Sequence, residues 1–113
     1  MKTVTISVCS KEDTKRRLLR AFGGEAQGAV ISFETPQQLF KVLSGKRWDL
    51  LKAMVGAGPV SIREAARRLG RDVKGVHADV HRLLLSGIIR KTDDGKIVFP
   101  YDAIHVDFVM KAA

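Results

Sequence analysis

Basic side chains concentrated in one part of this sequence are the residues best suited to a chemical role. Between Ser61 and Lys91 the chain carries eight lysines or arginines against three acids, which leaves a local excess of five positive charges. The whole chain has a formal net charge of +8, so more than half of it lies in this stretch. A cationic surface attracts polyanions whatever the fold. The concentration favours a nucleic-acid partner, and a solvated basic face without a partner is the alternative.

One predicted helix carries side chains that could contact DNA on its outer face. Apolar residues at helical spacing predict a helix that begins after Asp72, its expected N-cap, and runs to Ser86, before Gly87. The outer face combines hydrogen-bond donors with small residues: Lys74, Gly75, His77, Ala78, His81 and Arg82. The donors suit base edges or phosphates, and the small residues permit a close approach to DNA.

The two histidines of this helix are four residues apart, a spacing that could also hold a metal ion. An H-E-x-x-H zinc protease would need glutamate where this chain has Ala78. The candidates for a third ligand are not fixed by spacing: Asp79, His105 and Cys9. We therefore expect His77 and His81 to contact DNA or simply to be exposed, and we expect no metal site and no cofactor.

Other chemistries are disfavoured by what the sequence lacks. It has no G-x-S-x-G nucleophile motif, no glycine-rich phosphate loop and no convincing pair of acids, so we do not expect an enzyme. Cys9 is the only cysteine and is interpreted as a small buried hydrophobe rather than a redox sensor. Apolar runs fall far short of the ~20 residues that span a bilayer, and no signal peptide is visible. A cytoplasmic protein without a membrane partner is expected.

The elements that must position the basic side chains are two helices and a tight turn. Ser61 and Glu64 form a capping box that opens a short helix, and Gly70 ends it. About three residues then lead into the helix that follows Asp72, which is the helix-turn-helix arrangement. In that arrangement the first helix supports the second, so that the N-terminal outer face of the second enters the major groove.

A basic hairpin is predicted directly after the second helix. Two short strands, Ile88–Thr92 and Lys96–Phe99, flank Asp93-Asp94-Gly95, a hairpin turn of the Asp-Gly type. This hairpin would be the wing, lying along the DNA backbone or over a minor groove. Its candidates for phosphate or minor-groove contact are Arg90, Lys91 and Lys96. The predicted DNA-binding set also includes three residues of the first helix and the turn: Ser61, Arg63 and Arg71.

The remaining elements flank this core. Alternating patterns predict strands at Thr3–Val8, Ala29–Glu34 and around Ile104–Phe108, and a helix from Lys11 to about Phe22. Further helices are expected from Thr35 to about Leu43 and from Lys46 to about Val55. The predicted fold class is α+β, mainly helical: a winged helix-turn-helix core with short flanking strands and an N-terminal helix. We divide the chain into an extension (1–34), the DNA-binding domain (35–99) and a C-terminal strand and tail (100–113) that packs on the extension.

The three flanking strands each have an apolar side to cover. Pairing within the chain is one solution. The alternative is that the strands and the Lys11–Phe22 helix form a homodimer surface, and we favour a dimer. A dimer would place two recognition helices about one DNA turn, ~34 Å, apart on a palindrome.

The core segments resemble a known group of proteins. Ser61–Gly70 (SIREAARRLG), Val73–Leu84 (VKGVHADVHRLL) and Gly87–Lys91 (GIIRK) are similar to the winged-helix core of bacterial and archaeal regulators of the MarR and ArsR type. With ISFETP upstream and FPYDAI downstream, the chain resembles more closely a group of uncharacterised predicted winged-helix regulators, over about Ile31 to Phe108. The long flanking helices through which MarR-type proteins dimerise are not evident.

The resemblance implies a sequence-specific regulator of transcription, expected to be a repressor, that binds double-stranded DNA. It implies DNA contact by residues of the second helix and the wing: Lys74, His77, Ala78, His81, Arg90, Lys91 and Lys96. It also implies an alternative, an antitoxin-like interaction module whose N-terminal region, Met1–Phe33, binds a toxin.

Overall fold

The computed structural model describes residues 2–8 and 29–109, which form four helices and five strands. In chain order these are β1 (Thr3–Val8), β2 (Ala29–Phe33), α1 (Pro36–Val42), α2 (Gly45–Met54), α3 (Ile62–Leu69), α4 (Val73–Leu85), β3 (Arg90–Lys91), β4 (Ile97–Val98) and β5 (Ala103–Asp107). The predicted α+β class is confirmed. The predicted helix Lys11–Phe22 and Cys9 lie outside the described residues. Among the helices within them, none has the length and apolar character that crossing a membrane requires.

The flanking strands pair with one another. β1 lies at the centre of a three-stranded sheet in the order β2-β1-β5, and both pairings are parallel. Val4 faces Ala29 on one side and Ile104 on the other. Of the two ways to cover the strands, pairing within the chain is therefore the one that this structure adopts.

The sheet and the helices share one hydrophobic core. Val4 and Ile6 of β1 are fully buried and belong to the same cluster as Leu50 and Met54 of α2 and Leu83 of α4. Ser7, on the opposite side of β1, is also buried. A parallel strand buried on both faces is the usual arrangement, and Val4 and Ile6 join the central strand to the same core as the helices.

Local capping explains where α1 begins. Thr35 accepts a hydrogen bond from the backbone N–H of Gln38 through its Oγ1, at 3.1 Å. The Gln38 side chain accepts from the backbone N–H of Glu34, also at 3.1 Å, one residue earlier than a standard capping box would place it. Pro36 occupies the first helical turn, where its missing N–H costs no hydrogen bond.

Hydrogen bonds join the start of the described chain to the segment that leads into β5. The N–H of Lys2 donates to Oδ2 of Asp102 at 2.9 Å, and the N–H of Asp102 donates to the carbonyl of Lys2 at 2.7 Å. The backbone N–H of Gly56, just after α2, donates to the carbonyl of Tyr101 at 3.1 Å. These bonds set the register in which β5 joins β1 and hold the end of α2 against the same segment.

Candidate nucleic-acid interface

The turn between α3 and α4 is defined by hydrogen bonds at both ends of α3. Ser61 Oγ accepts from the backbone N–H of Glu64 at 3.0 Å, as its capping motif predicts. At the other end Gly70 adopts φ +63°, and the N–H of Arg71 donates to the carbonyl of Ala66 at 3.0 Å. The N–H of Gly70 also bonds the carbonyl of Arg67, which completes a Schellman motif. The chain therefore reverses sharply and starts α4 at Val73.

Small side chains bring α3 close to α4. Ala65 and Ala66 are buried on α3, and Val76 and Val80 are buried on the inner face of α4. Alanine removes side-chain bulk at a helix–helix contact, so the two helix axes can approach closely. The contact fixes which face of α4 points inward, and therefore which face is presented to solvent.

The outer face of α4 carries most of the side chains that the sequence assigns to it. Lys74, His77, Ala78 and His81 are all exposed and follow the i, i+3, i+4, i+7 spacing of one helix face. Arg82 lies at the border of this face and is half-buried. Within the described residues no carboxylate forms an ion pair with Lys74 or Arg82.

Arg71, one of the residues predicted to contact DNA, forms an ion pair within the protein. Its Nη2 donates to Oδ2 of Asp79 at 2.8 Å, and 23% of the Arg71 side chain is exposed. The other carboxylate oxygen of Asp79 accepts from Nε of Arg47 at 3.2 Å. One carboxylate on α4 thus bridges an arginine of the preceding turn and an arginine of α2.

The sequence interpretation missed Arg47, which extends this network to a third helix. Its Nη1 donates to the carbonyls of Lys41 and Val42 at the end of α1, at 2.9 and 3.2 Å. A cation at a helix C-terminus satisfies carbonyls that have no partner within the helix. The available signal was that Asp79 is the only acid in a helix with several basic residues, but sequence spacing does not indicate its partners.

Gly75 provides space for the same network. A β-carbon at this position would lie 3.4 Å from Nη2 of Arg71, at the near limit of ordinary van der Waals contact. The guanidinium therefore lies across the first turn of α4, at a place where the sequence had suggested an approach to DNA. Nη1 of Arg71 is buried and has no hydrogen-bond partner among the described residues.

Two other arginines of the basic stretch are paired on α3. The Glu64 carboxylate accepts from Nε of Arg67 at 2.9 Å and from Nε of Arg68 at 3.0 Å. These hydrogen bonds, with Arg67 as the larger cause, lower the pKa of Glu64 to about 2. Because the Glu64 side chain is used here, it does not complete the reciprocal half of the predicted capping box.

The hairpin places further cations at the surface. β3 and β4 are antiparallel with Arg90 opposite Val98 and Lys91 opposite Ile97, and both basic residues are exposed. Each strand is two residues long, shorter than predicted. Within the described residues neither Arg90 nor Lys91 forms an ion pair, whereas Lys96 lies 3.9 Å from a carboxylate oxygen of Asp94.

Two backbone hydrogen bonds close the turn of the hairpin. The N–H of Gly95 donates to the carbonyl of Thr92 at 3.0 Å, and the N–H of Thr92 donates to the carbonyl of Lys96 at 2.8 Å. Gly95 has φ +83°, while no non-glycine residue within the described ranges has a positive φ. A type I′ turn would need a positive φ at Asp94. The loop is therefore the three-residue kind, with glycine in the left-handed position.

A backbone bridge attaches the hairpin to the start of α3. Val60 and Ile97 exchange two hydrogen bonds, of 2.9 and 2.8 Å, in an antiparallel bridge. Val60 immediately precedes Ser61, and both Val60 and Ile97 are buried. The bridge therefore joins the hairpin to the residue before Ser61, the N-cap of α3. Ser61 and Arg63 are both exposed.

Across the described part of the chain, no group of three or more histidine, cysteine, aspartate or glutamate side chains is placed to hold a metal ion. Asp79, one of the third ligands considered for His77 and His81, is held by two arginines. Cys9 lies outside the described residues.

Comparison with known proteins identifies the family. The HVO_A0114 family model matches residues 42–106, more than half of the 113-residue chain. The chain belongs to the HVO_A0114 family. The match begins at the end of α1 and runs through α2, α3, α4 and the hairpin into β5, so the HVO_A0114 region contains every candidate interface residue. No curated protein and no solved structure matches the chain.

Proposed function

We propose that this HVO_A0114-family protein is a sequence-specific regulator of transcription that binds double-stranded DNA through a winged helix-turn-helix. α3 is the supporting helix, α4 the recognition helix and the β3–β4 hairpin the wing. The observation that carries the proposal is the outer face of α4. There Lys74, His77 and His81 are exposed together, and exposed Arg90 and Lys91 follow on the hairpin.

The dimensions of α4 suit a major groove. Its 13 residues correspond to a length of roughly 20 Å. A major groove about 12 Å wide admits one helix. Asp72 makes no side-chain capping bond, so it does not occupy the first-turn N–H groups of α4. Those groups can donate to a phosphate oxygen, which would position the helix on the backbone.

The candidate side chains make two kinds of contact, to base edges and to phosphates. Lys74 and His77 lie in the first turns of α4, the part of a recognition helix that contacts base edges, and Ala78 can pack against a thymine methyl group. Arg90 and Lys91 are charged donors on a short hairpin and suit phosphates, which position the protein without discriminating sequence. Arg71, held by Asp79, orients the start of α4.

Regulation would follow from occupancy of a promoter. Two copies on a palindrome would place two α4 helices in successive major grooves on one side of the duplex, ~34 Å apart. Such a complex competes with polymerase for the same DNA, so we expect repression.

Fluorescence anisotropy with the DNA upstream of the protein's own gene tests the proposal. A scrambled duplex of the same length is the control, and both are titrated across a salt series. We expect a preference of at least ~10³ for the upstream DNA. Equal binding to both duplexes with a steep salt dependence would contradict sequence specificity, because it reports only the release of counterions. No binding to either at low salt would favour the antitoxin-like alternative.

A further inference from the structure

One side chain outside the proposed DNA interface reaches the recognition helix. Arg47 lies in the first turn of α2, and its Nε donates to Oδ1 of Asp79 on α4 at 3.2 Å. Its Nη1 donates to the carbonyls of Lys41 and Val42, at the end of α1, at 2.9 and 3.2 Å. A guanidinium is a rigid plane whose donors have fixed directions. Arg47 therefore holds the end of α1 and the carboxylate of Asp79 in a defined relation to each other.

Asp79 lies at the border between the two faces of α4. It is preceded by exposed Ala78, which belongs to the outer face, and followed by buried Val80. Only 13% of its side chain is exposed, and its second oxygen accepts from Nη2 of Arg71 at 2.8 Å. Both oxygens of this carboxylate therefore bind arginines of the protein. Because Asp79 and the outer-face residues belong to one helix, a shift of Asp79 moves the outer face with it.

Apolar packing alone defines the position of α4 less closely than this network does. The inner face of α4 buries Val76 and Val80 in the common core, and hydrophobic contacts have no preferred direction. Hydrogen bonds require particular distances and angles, so the bonds from Arg47 and Arg71 restrict how α4 can slide or rotate. A group that recognises a base must be held within about 0.5 Å of its productive position.

We propose that Arg47, acting through Asp79, sets the position of α4 in the major groove and thereby determines how well the protein discriminates between DNA sequences, although it does not contact DNA. The inference rests on the proposed function and deepens it, because it assigns specificity to a residue of α2. Arg47 is a positioning residue. Lys74 and His77 contact the bases, and Arg47 fixes the helix that carries them.

The bonds of Arg47 argue against a direct contact with a phosphate. Its side chain is 23% exposed, and its three hydrogen bonds all go to oxygens of the protein. A phosphate would have to break the ion pair with Asp79 before it could bind this guanidinium. The carboxylate would then have lost one of its two arginines beside a polyanion of the same sign. Loss of Arg47 should therefore leave the number of phosphate contacts unchanged, and the salt dependence of binding reports that number.

Anisotropy titrations of Arg47→Met with the upstream and scrambled duplexes, across a salt series, test the proposal. Methionine keeps an unbranched stem and removes the charge and every donor. Discrimination should fall about tenfold, as for the loss of one base contact, while the slope of the salt dependence stays that of the wild type. Lys52→Met is the matched control, because Lys52 is exposed on α2 and carries the same charge, and it should keep full discrimination.

Two results of these titrations would overturn the inference. The first is unchanged discrimination in Arg47→Met. The second is a slope reduced by about one with equal weakening on both duplexes, because that is the signature of a lost phosphate contact.

Two further variants separate positioning from a general loss of stability. Val4→Ala removes buried atoms in the centre of the sheet and should lower the urea midpoint while it retains discrimination. Asp79→Asn should reduce discrimination at least as much as Arg47→Met does. The double variant should lose no more than Asp79→Asn alone, because Arg47 acts through Asp79. Additive losses, or an equal loss in Val4→Ala, would contradict the proposal; circular dichroism at the titration temperature verifies that each variant is folded.

Two-dimensional proton–nitrogen NMR spectra test the positioning without DNA. Arg47→Met should shift the amide resonances of Val76 and His77 on α4, and Lys52→Met should leave them in place. Unshifted α4 resonances in Arg47→Met would overturn the inference whatever the protein binds. If the wild type shows no preference for the upstream DNA but Arg47→Met shifts these resonances, the proposed function is wrong and the positioning by Arg47 stands. If the wild type and Arg47→Met prefer the upstream DNA equally, the inference is wrong and the proposed function stands.

Discussion

The two regions of this molecule are built by different kinds of contact. In the unit formed by α3, α4 and the hairpin, the turn is closed by bonds between residues a few positions apart, such as that from Arg71 to Ala66. In the parallel sheet, Thr3 pairs with Ala103, a hundred residues along the chain. The first region presents unpaired cations to solvent, and the second presents apolar side chains.

Residues close together in the sequence determine the turn of the candidate interface, but the helices of that interface share their core with the sheet. Val4 and Ile6 of the sheet belong to the same buried cluster as Val76 and Val80 of α4. The side chains that could contact DNA therefore lie on a helix whose inner face packs in a core completed by the two ends of the chain. Substitutions in either region test how far the two depend on each other.

The largest effect is expected from the centre of the sheet. Ile6→Ala removes a fully buried side chain and should lower the free energy of unfolding by about 3–4 kcal/mol, a large share of the stability of a small domain. Urea unfolding followed by circular dichroism and by the fluorescence of Trp48, the only tryptophan, measures the change. Because the core is shared, both signals should shift together.

Thr3→Ala is the control for this prediction. Thr3 is exposed on the same strand, so its loss should change stability by less than about 0.5 kcal/mol. If Ile6→Ala shifts circular dichroism but leaves the Trp48 transition in place, the sheet and the helices unfold separately, and the shared core would not be a cooperative unit.

The second largest effect is expected from the network that joins α4 to its supports. Asp79→Ala leaves Arg47 and Arg71 partly buried without their common carboxylate, and should cost about 2–3 kcal/mol of unfolding free energy. Urea unfolding again provides the measurement. Asp49→Ala, an exposed aspartate on α2, removes the same charge and should cost less than about 0.5 kcal/mol. If the two variants lost equal unfolding free energy, the ion pairs of Asp79 with Arg47 and Arg71 would add nothing to stability beyond the negative charge itself.

Some features of this structure could be predicted from the sequence, and others could not. Ser61, Gly70 and the outer face of α4 were predictable, because caps, turns and helical spacing depend on neighbours within a few residues. The strands were predictable as strands. Their order was not, since alternation indicates which side of a strand is buried and says nothing about its neighbour.

The assignment of Arg71 illustrates the same limit at a single residue. An arginine in a turn beside a recognition helix has the chemistry of a DNA contact, and sequence alone places it there. Its ion pair depends on the helical turns that bring Asp79 back beside it, and on Arg47, which is 32 residues from Asp79. The same holds for an apolar groove that is lined by residues of α1, α2 and β5, three separate segments of the sequence.

A third, smaller effect is expected on DNA binding, where contacts to base edges can be separated from contacts to phosphates. Lys74→Ala should reduce the discrimination between upstream and scrambled DNA about tenfold, because a base contact is worth ~1–3 kcal/mol. Arg90→Ala should weaken binding to both duplexes about equally and reduce the slope of the salt dependence by about one. Anisotropy titrations measure both quantities. Unchanged discrimination after Lys74→Ala, and also after His77→Ala, would mean that α4 is not the recognition helix.

The smallest effects are expected from two glycines that have open space around them and opposite backbone requirements. A β-carbon at Gly70 or at Gly45 would meet no atom within 4 Å, so neither substitution introduces a clash. Gly70 adopts φ +63° at the end of α3, where Gly70→Ala should cost about 1 kcal/mol through backbone strain alone. Gly45 is the first residue of α2, and Gly45→Ala should stabilise by up to about 0.5 kcal/mol, because alanine loses less chain entropy on folding.

Thermal and urea unfolding of the two alanine variants, compared with the wild type, measure this difference. Comparing the two variants isolates the contribution of backbone conformation to stability, because the added β-carbon meets no other atom at either position. If Gly70→Ala were neutral, the left-handed turn would not be required for the reversal between α3 and α4. The local specification of the candidate interface would then rest on the Ser61 cap and the packing of Ala65 and Ala66 against α4, and not on the turn itself.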